Sequence, residues 1–318
     1  MGVEAAGPPV ALVGPTASGK SALALALARS RAGVELVSVD SMGVYRGMDI
    51  GTAKASPAER AEVPVHLLDL ADPAEEFTVV RFQAEARAAL AGIEARGHRA
   101  LLVGGTGLYL RAVVDDLELP GRWPEVAAAL EVEAGAPGGL AALHDRLARL
   151  DPVAAGRIEP GNRRRLVRAL EVTVGSGRPF SSYGPGLTAY PPSRFLLLGI
   201  PYDRALHDEA VSARFRSLLE AGLVEEVRAL AGRPGGLSRT ARQALGYREL
   251  LAHVEEGVPL EEAVEEAVRR TRAFARRQWA WFRRDPRIRW LDPAGDLGAQ
   301  LALAWDAGGP AGPSPVPD

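Results

Sequence analysis

The chain has 318 residues, 47% apolar and 25% charged, with 40 acidic against 38 basic side chains and a net charge of −2. That balance belongs to a folded globular protein and excludes a disordered chain, a collagen-like repeat or a coiled-coil rod. The absence of cysteine further excludes disulfide frameworks, thiolate catalysis and Cys-ligated zinc or iron–sulfur centres.

The opening MGVEAAGPP lacks the basic-then-apolar pattern of a signal peptide, and no uncharged apolar run reaches the roughly 18 residues of a membrane span. A cytoplasmic protein with no membrane partner is expected, and nothing in the sequence demands more than a monomer. Charge is unevenly placed. Between Arg269 and Arg289 there are nine Arg and one Asp, a local +8 that leaves −10 for the rest of the chain. Positive charge gathered in one stretch of a slightly acidic protein points to an anionic partner. Only Lys20 and Lys54 are lysine among the 38 basic residues, so these two sites are candidates for a compact point charge.

In chain order, residues 9–13 (PVALV) read as a buried strand, followed by a Gly-bounded loop and an apolar helix over 21–29. Residues 34–39 (VELVSV) form a second strand ending at Asp40, and 65–70 is a shorter apolar run. Residues 77–96 read as a helix stopped by Gly97. Residues 100–103 (ALLV) form another strand, running into Gly104-Gly105-Thr106-Gly107. Strands alternating with helices predict an α/β fold with a parallel, doubly wound sheet. From 120 to 176 only helical segments appear, and 175–192 is a Gly/Pro/Ser/Tyr-rich connection. Residues 195–200 (FLLLGI) return as a buried strand, followed by four helical segments to about Arg284. The domains expected are an α/β core over 1–116 and 193–307, an all-helical insertion over 117–192, and a disordered tail over 308–318.

Gly14-Pro15-Thr16-Ala17-Ser18-Gly19-Lys20-Ser21 matches G-x-x-x-x-G-K-[ST] after a strand and before a helix, the context that confirms a phosphate-binding loop. Backbone N–H groups turn inward around phosphate oxygens and the helix N-terminus adds positive potential. Lys20 reaches the phosphates, and the Ser21 hydroxyl is placed to ligand Mg²⁺. A second strand ending in a metal-binding Asp is poorly matched, since Val65-His66-Leu67-Leu68-Asp69 is broken by a histidine. The loop is therefore open to a phosphorylated ligand other than a nucleoside triphosphate. His66 reads as a satisfied structural histidine.

Asp40 sits at the C-terminal sheet edge, where ligands of open α/β sheets bind. It reads as a general base or outer-sphere metal ligand, or as a turn cap. The Gly104–Gly107 turn reads either as a close approach to ligand, with Thr106 donating, or as a tight strand-to-helix turn. Residues 260–284 read as one long helix. Val264, Ala267, Val268, Thr271, Phe274, Ala275, Gln278 and Phe282 form its core face. Arg269, Arg272, Arg276, Trp279 and Arg283 form an adjacent stripe suited to a nucleic-acid backbone, or to a solvated face. Arg163, Arg164, Arg165 and Arg168 form a second cluster.

The motifs GPTASGKS, SVDSMGVYRGMDIGTAK, VHLLDL, LLVGGTGLYL, DPVAAGRI, RRLVRALEV, ARFRSLLEAGLVEEV, QALGYREL and RRQWAWFRR occur in that order. Over residues 10–292 the chain thereby resembles the bacterial tRNA dimethylallyltransferases. The resemblance implies a P-loop-kinase-like core with a helical insertion. It implies transfer of a dimethylallyl group from dimethylallyl diphosphate to N6 of adenine 37, next to the anticodon of tRNA. Residues 14–21 would then grip the donor's diphosphate, with Mg²⁺ at Ser21, help from Lys20, Thr16 and Arg214, and Asp40 as the base. The implied tRNA contacts are Asp40, Ser41, Met42, Gly43, Thr106, Arg164, Arg165, Arg168, Gln243, Gly246, Tyr247, Arg248, Arg276, Arg277, Gln278, Trp279 and Arg283. The same core also serves prenyl transfer to free adenine nucleotides, and the loop alone would suit a small-molecule kinase. Departures from the family pattern are Glu159-Pro160-Gly161-Asn162 for H-P-N-D, Ala55 for a frequent Pro, and Ala127 for a frequent tRNA-contacting Arg. The zinc module that eukaryotic relatives append cannot occur in its usual form in a cysteine-free chain.

Overall fold

The computed structural model describes residues 7–307; the tail expected over 308–318 lies outside them. Six parallel strands form one sheet: β1 (Val10–Val13), β2 (Val34–Val39), β3 (Val65–His66), β4 (Arg99–Gly104), β5 (Leu196–Gly199) and β6 (Arg289–Trp290), in spatial order β3-β2-β4-β1-β5-β6. The central strands read as unbroken apolar runs because both faces are covered. Val10 and Leu12 of β1 point into one core layer with α1 (Lys20–Ser30) and α13 (Leu297–Asp306). Ala11 and Val13 point into the opposite layer.

That second layer is built by α3 (Val79–Ala95), α4 (Gly107–Val114), α9 (Arg204–Glu220), α10 (Leu223–Ala231), α11 (Tyr247–Glu256) and α12 (Leu260–Phe282). A short helix, α2 (Pro57–Glu62), begins with a capping box in which Ser56 and Glu59 satisfy each other's backbone N–H groups. The helix α3 starts on the Thr78 side chain and ends at Gly97 (φ 71°), whose left-handed backbone lets the His98 N–H reach back to Ile93.

Residues 115–191 form a compact unit of their own. It consists of α5 (Pro124–Gly135), α6 (Gly139–Leu150), α7 (Pro152–Ala155) and α8 (Arg163–Ser176) around Leu130, Leu143, Leu147, Leu166 and Leu170. Asp151 ties the unit together. Its carboxylate accepts from the Ala154 N–H, where it caps α7, and from both the backbone and hydroxyl of Ser181.

Three elements were not expected from the sequence, α2, β6 and α13. A two-residue strand carries no periodicity, and β6 exists only because β5 offers it an edge. The helix α13 is announced only by Asp296, whose carboxylate caps it, and by Leu301 and Trp305, which bury against α1.

Candidate active site

The parallel order places the ends of β1, β2 and β4 at one edge of the sheet, and a cavity of about 630 Å³ opens there. The loop after β1 is set by two left-handed residues, Ala17 (φ 62°) and Gly19 (φ 80°), the latter leading directly into α1. The N–H groups at the head of α1 have no partner within the helix, and Lys20, Ser21 and Ala22 there line the cavity, as an anion cradle requires. Lys20 and Ser21 line the cavity, and Nζ of Lys20 rests on the Pro15 carbonyl at 3.1 Å.

From the opposite wall α9 contributes Arg214. Its guanidinium makes no hydrogen bond or ion pair among the described residues, and burial pulls it below its ordinary pKa against the opposing pull of Asp40. Lys20 is pushed down to about 8, first by desolvation and then by the charge of Arg214, with Asp40 opposing. Lys20 and Arg214 thus face Asp40 across one cavity, and with Lys54, Arg270 and Arg277 against Glu59 also in its lining, the walls carry a surplus of positive charge that an anionic ligand would relieve.

Asp40, at the end of β2, divides its two carboxylate oxygens between a turn and the cavity. Its Oδ1 accepts from the N–H groups of Met42 (2.7 Å) and Gly43 (3.2 Å), which is the turn cap. Its Oδ2 accepts no hydrogen bond among the described residues, and the residue lines the cavity. Thr106 lines the cavity, and its Oγ1 accepts from the Ser41 N–H at 3.3 Å, joining the β4 turn to the Asp40 segment while the hydroxyl keeps its own proton to donate. Gly104 and Gly105 are required by packing: a Cβ would lie 2.1 Å from the Val39 carbonyl at the first and 2.2 Å from Gln278 Nε2 at the second.

Neither strand flanking β1 ends in a carboxylate: β4 ends at Gly104 and β5 at Gly199. The Mg²⁺-binding aspartate of a hydrolytic P-loop enzyme is therefore missing from its usual place. Asp69, the sequence candidate, lies after the edge strand β3 and is committed to Lys54 (2.6 Å) and Arg60 (2.6 Å). The Lys54 side chain is 2% exposed, and its three N–H donors are all used, by Tyr45 O, Asp49 Oδ1 and Asp69 Oδ1. A planar guanidinium could not meet three converging acceptors in this way. His66 is the structural histidine expected, bonded to the buried Glu35 at 2.5 Å; Glu35 also accepts from His98 and twice from Arg96.

Residues 43–285 match the family profile described as IPP transferase. The chain is also 50% identical over 303 residues to the tRNA dimethylallyltransferase of Kineococcus radiotolerans, spanning 93% of this chain and 94% of that protein. The chain belongs to the tRNA dimethylallyltransferase family. The family's enzyme from Salinispora arenicola is 51% identical over 291 residues, spanning 92% of this chain and 84% of its own. Among solved structures, the full-length tRNA isopentenylpyrophosphate transferase of Bacillus halodurans matches with TM-score 0.66 and 35% identity over 95% of this chain and 97% of its own. A eukaryotic dimethylallyltransferase, described as acting on tRNA, matches with TM-score 0.74 and 26% identity over 93% of this chain and 77% of its own.

Several residues that the family resemblance assigns to tRNA line the cavity together with the phosphate loop: Asp40, Ser41, Met42, Gly43, Thr106, Gln243 and Arg277. Others have partners within the fold. Tyr247 is 0% exposed, its hydroxyl on Glu226 Oε1 at 2.5 Å, and the Gly246 N–H is held by Glu249. Tyr247 lines the cavity, and Gly246 is buried beside it. Gln278 is buried, bonded to the Thr16 N–H and the Gly105 carbonyl. Trp279 is half-buried, packed edge-on against Trp290 and stacked near Tyr202. Arg168 is paired with buried Glu171 and bonded to the Pro120 carbonyl, a structural role. Arg248 bonds the Gln243 side chain at the surface.

Arg276, Arg277 and Arg283 on the α12 segment are exposed, as are Arg164 and Arg165 at the head of α8. Arginines in the first turn of a helix oppose its dipole, and that turn of α8 holds no acidic residue. Sequence reasoning missed Glu226. Its carboxylate accepts from three successive N–H groups, Asp49 (2.9 Å), Ile50 (2.8 Å) and Gly51 (3.2 Å), and fixes the loop that walls the cavity. Nothing local marks it, because its partners lie some 175 residues upstream.

Proposed function

We propose that this chain moves the dimethylallyl group of dimethylallyl diphosphate onto N6 of adenine 37 in tRNA, releasing diphosphate. The observation that carries the reading is one cavity holding an anion cradle, two cations without carboxylate partners of their own, and a carboxylate with one free oxygen. The cradle N–H groups, Lys20 and Arg214 bind the diphosphate and stabilise the charge that builds on it as the C–O bond breaks. The adenine N6 forms the new C–N bond. Its lone pair is delocalised into the ring, so loss of its proton to Asp40 Oδ2 during attack assists the step.

Ser21 offers one hydroxyl at the head of α1, and no cluster of three His, Asp or Glu side chains able to hold a metal exists among the described residues. That donor set suits Mg²⁺ brought in on the diphosphate and completing its shell with water. When bound, Mg²⁺ supplies neutralising charge to the leaving diphosphate. Exposed Arg164, Arg165, Arg276, Arg277 and Arg283 are the surface donors for the tRNA backbone, and the target base must leave the loop's stack to reach the cavity. We place the reaction in the cytoplasm with the chain acting as a monomer. Among the described residues no helix is long and apolar enough to cross a membrane.

The test is a mass spectrum of an anticodon stem-loop containing A36-A37-A38, incubated with the protein, Mg²⁺ and dimethylallyl diphosphate beside an A37→G control. A single five-carbon addition confined to the A37 substrate is expected. Asp40→Asn should abolish it while leaving stem-loop binding within a few-fold. Loss of binding and transfer together would refute Asp40 as the base.

A further inference from the structure

Phosphates bound at a G-x-x-x-x-G-K-[ST] loop are cradled by backbone N–H groups, the innermost at the helix head and the outermost toward the loop's leading residues. In this chain the two ends differ sharply in donors. The helix head keeps its free N–H groups at Gly19, Lys20 and Ser21. The leading end keeps only the Ala17 N–H without a partner among the described residues. Pro15 carries no N–H, the Thr16 N–H is taken by Gln278 Oε1 at 2.8 Å, and the Ser18 N–H turns back to the Pro15 carbonyl at 3.4 Å. Two acceptor oxygens, Gln278 Oε1 and Pro15 O, therefore occupy the end where a third phosphate would need donors.

Gln278 is fixed there. It is 7% exposed, and its Nε2 donates to the Gly105 carbonyl at 2.9 Å. The bare Cα of Gly105 leaves just enough room for that amide. We infer that Gln278 is a specificity-determining residue that closes the anion cradle after two phosphates, so that the loop reads diphosphates and rejects triphosphates. The inference rests on the diphosphate reading above. A third phosphate entering this end would lose its water and meet acceptors in return, an uncompensated desolvation.

The experiment is calorimetric titration of the full chain with inorganic pyrophosphate and with tripolyphosphate, each with Mg²⁺. The wild-type protein should bind pyrophosphate at least about tenfold more tightly than tripolyphosphate, the scale of one charge-assisted hydrogen bond. Gln278→Ala frees the Thr16 N–H and removes the facing oxygen, so that preference should shrink about tenfold, chiefly through tighter tripolyphosphate binding. Should the alanine variant fail to fold, Gln278→Met keeps the volume, lacks the amide and should shift the preference in the same direction. Equal affinity of the wild-type protein for both chains, or an unchanged preference in a folded variant, overturns the inference alone. Failure of pyrophosphate itself to bind overturns the diphosphate reading and this inference with it.

Discussion

Glu226→Ala removes the group that organises residues 49–51. Its Oε2 accepts from Asp49 and Ile50, and its Oε1 from Gly51 and the Tyr247 hydroxyl. The Asp49 N–H is exposed and regains water, so little is lost there. The Ile50 and Gly51 N–H groups are half-buried and bond a charged acceptor, at roughly 1 kcal/mol each after partial rehydration. The hydroxyl of fully buried Tyr247 is left without a partner, costing about 2 kcal/mol more. The expected loss is about 4 kcal/mol, which for a unit of this size lowers the melting temperature by roughly 10 °C. Tyr247→Phe should cost only about 1 kcal/mol, because Oε1 keeps the Gly51 N–H. Both single variants break the same hydroxyl–carboxylate bond, so the double variant should fall short of their sum by at least about 1 kcal/mol in urea denaturation. A loss below about 1 kcal/mol for Glu226→Ala, or strict additivity with Tyr247→Phe, would refute this account of the loop.

Lys20 titrates near 8 in the unliganded fold against an ordinary 10.5. The fold therefore binds fewer protons than the unfolded chain between those values, and the stability of the free protein rises with pH across that window. A bound diphosphate needs the ammonium, so dimethylallyl diphosphate affinity should fall about tenfold per pH unit above 8, with proton uptake measurable in buffers of different ionisation heat; a flat affinity to pH 9.5 would contradict the burial of that amine. Glu35 is held near 2, chiefly by Arg96, with His66 and His98 assisting and burial opposing. Its contribution is complete above the ordinary carboxylate range and is lost as pH falls from 4.5 toward 2. Glu35→Gln should cost about 2 kcal/mol at neutral pH, and the gap from wild type in urea midpoints should close on acidification. A gap constant from pH 7 to pH 3 would remove the ionised carboxylate from the argument.

Much of the site is local chemistry and therefore legible in the sequence. A strand, eight residues with glycines at fixed offsets and a helix head suffice to make a phosphate cradle, because the donors are the backbone's own. Apolar runs at strand length, with Asp40 and the Gly104–Gly107 turn at their ends, place those residues at one sheet edge as soon as the strands are parallel. The periodicity of α12 identified its core face. What neighbours in space do to one another was not legible. Gln278 read as a core position, and only packing shows that its amide bridges two Gly-rich turns. Trp279 sits on the basic stripe by its period, yet it is half-buried against Trp290 and Tyr202, while the Tyr247 hydroxyl is fixed on Glu226. Arg168 counted as one more free charge until Glu171, one turn on and buried, paired it. Glu226 gave no sign at all, since a surface glutamate on an amphipathic helix looks alike whether it faces water or three distant amides. Backbone geometry and hydrophobic period are short-range properties that a sequence carries residue by residue. The partner of a polar side chain is chosen only when distant segments meet, and that choice belongs to the tertiary structure.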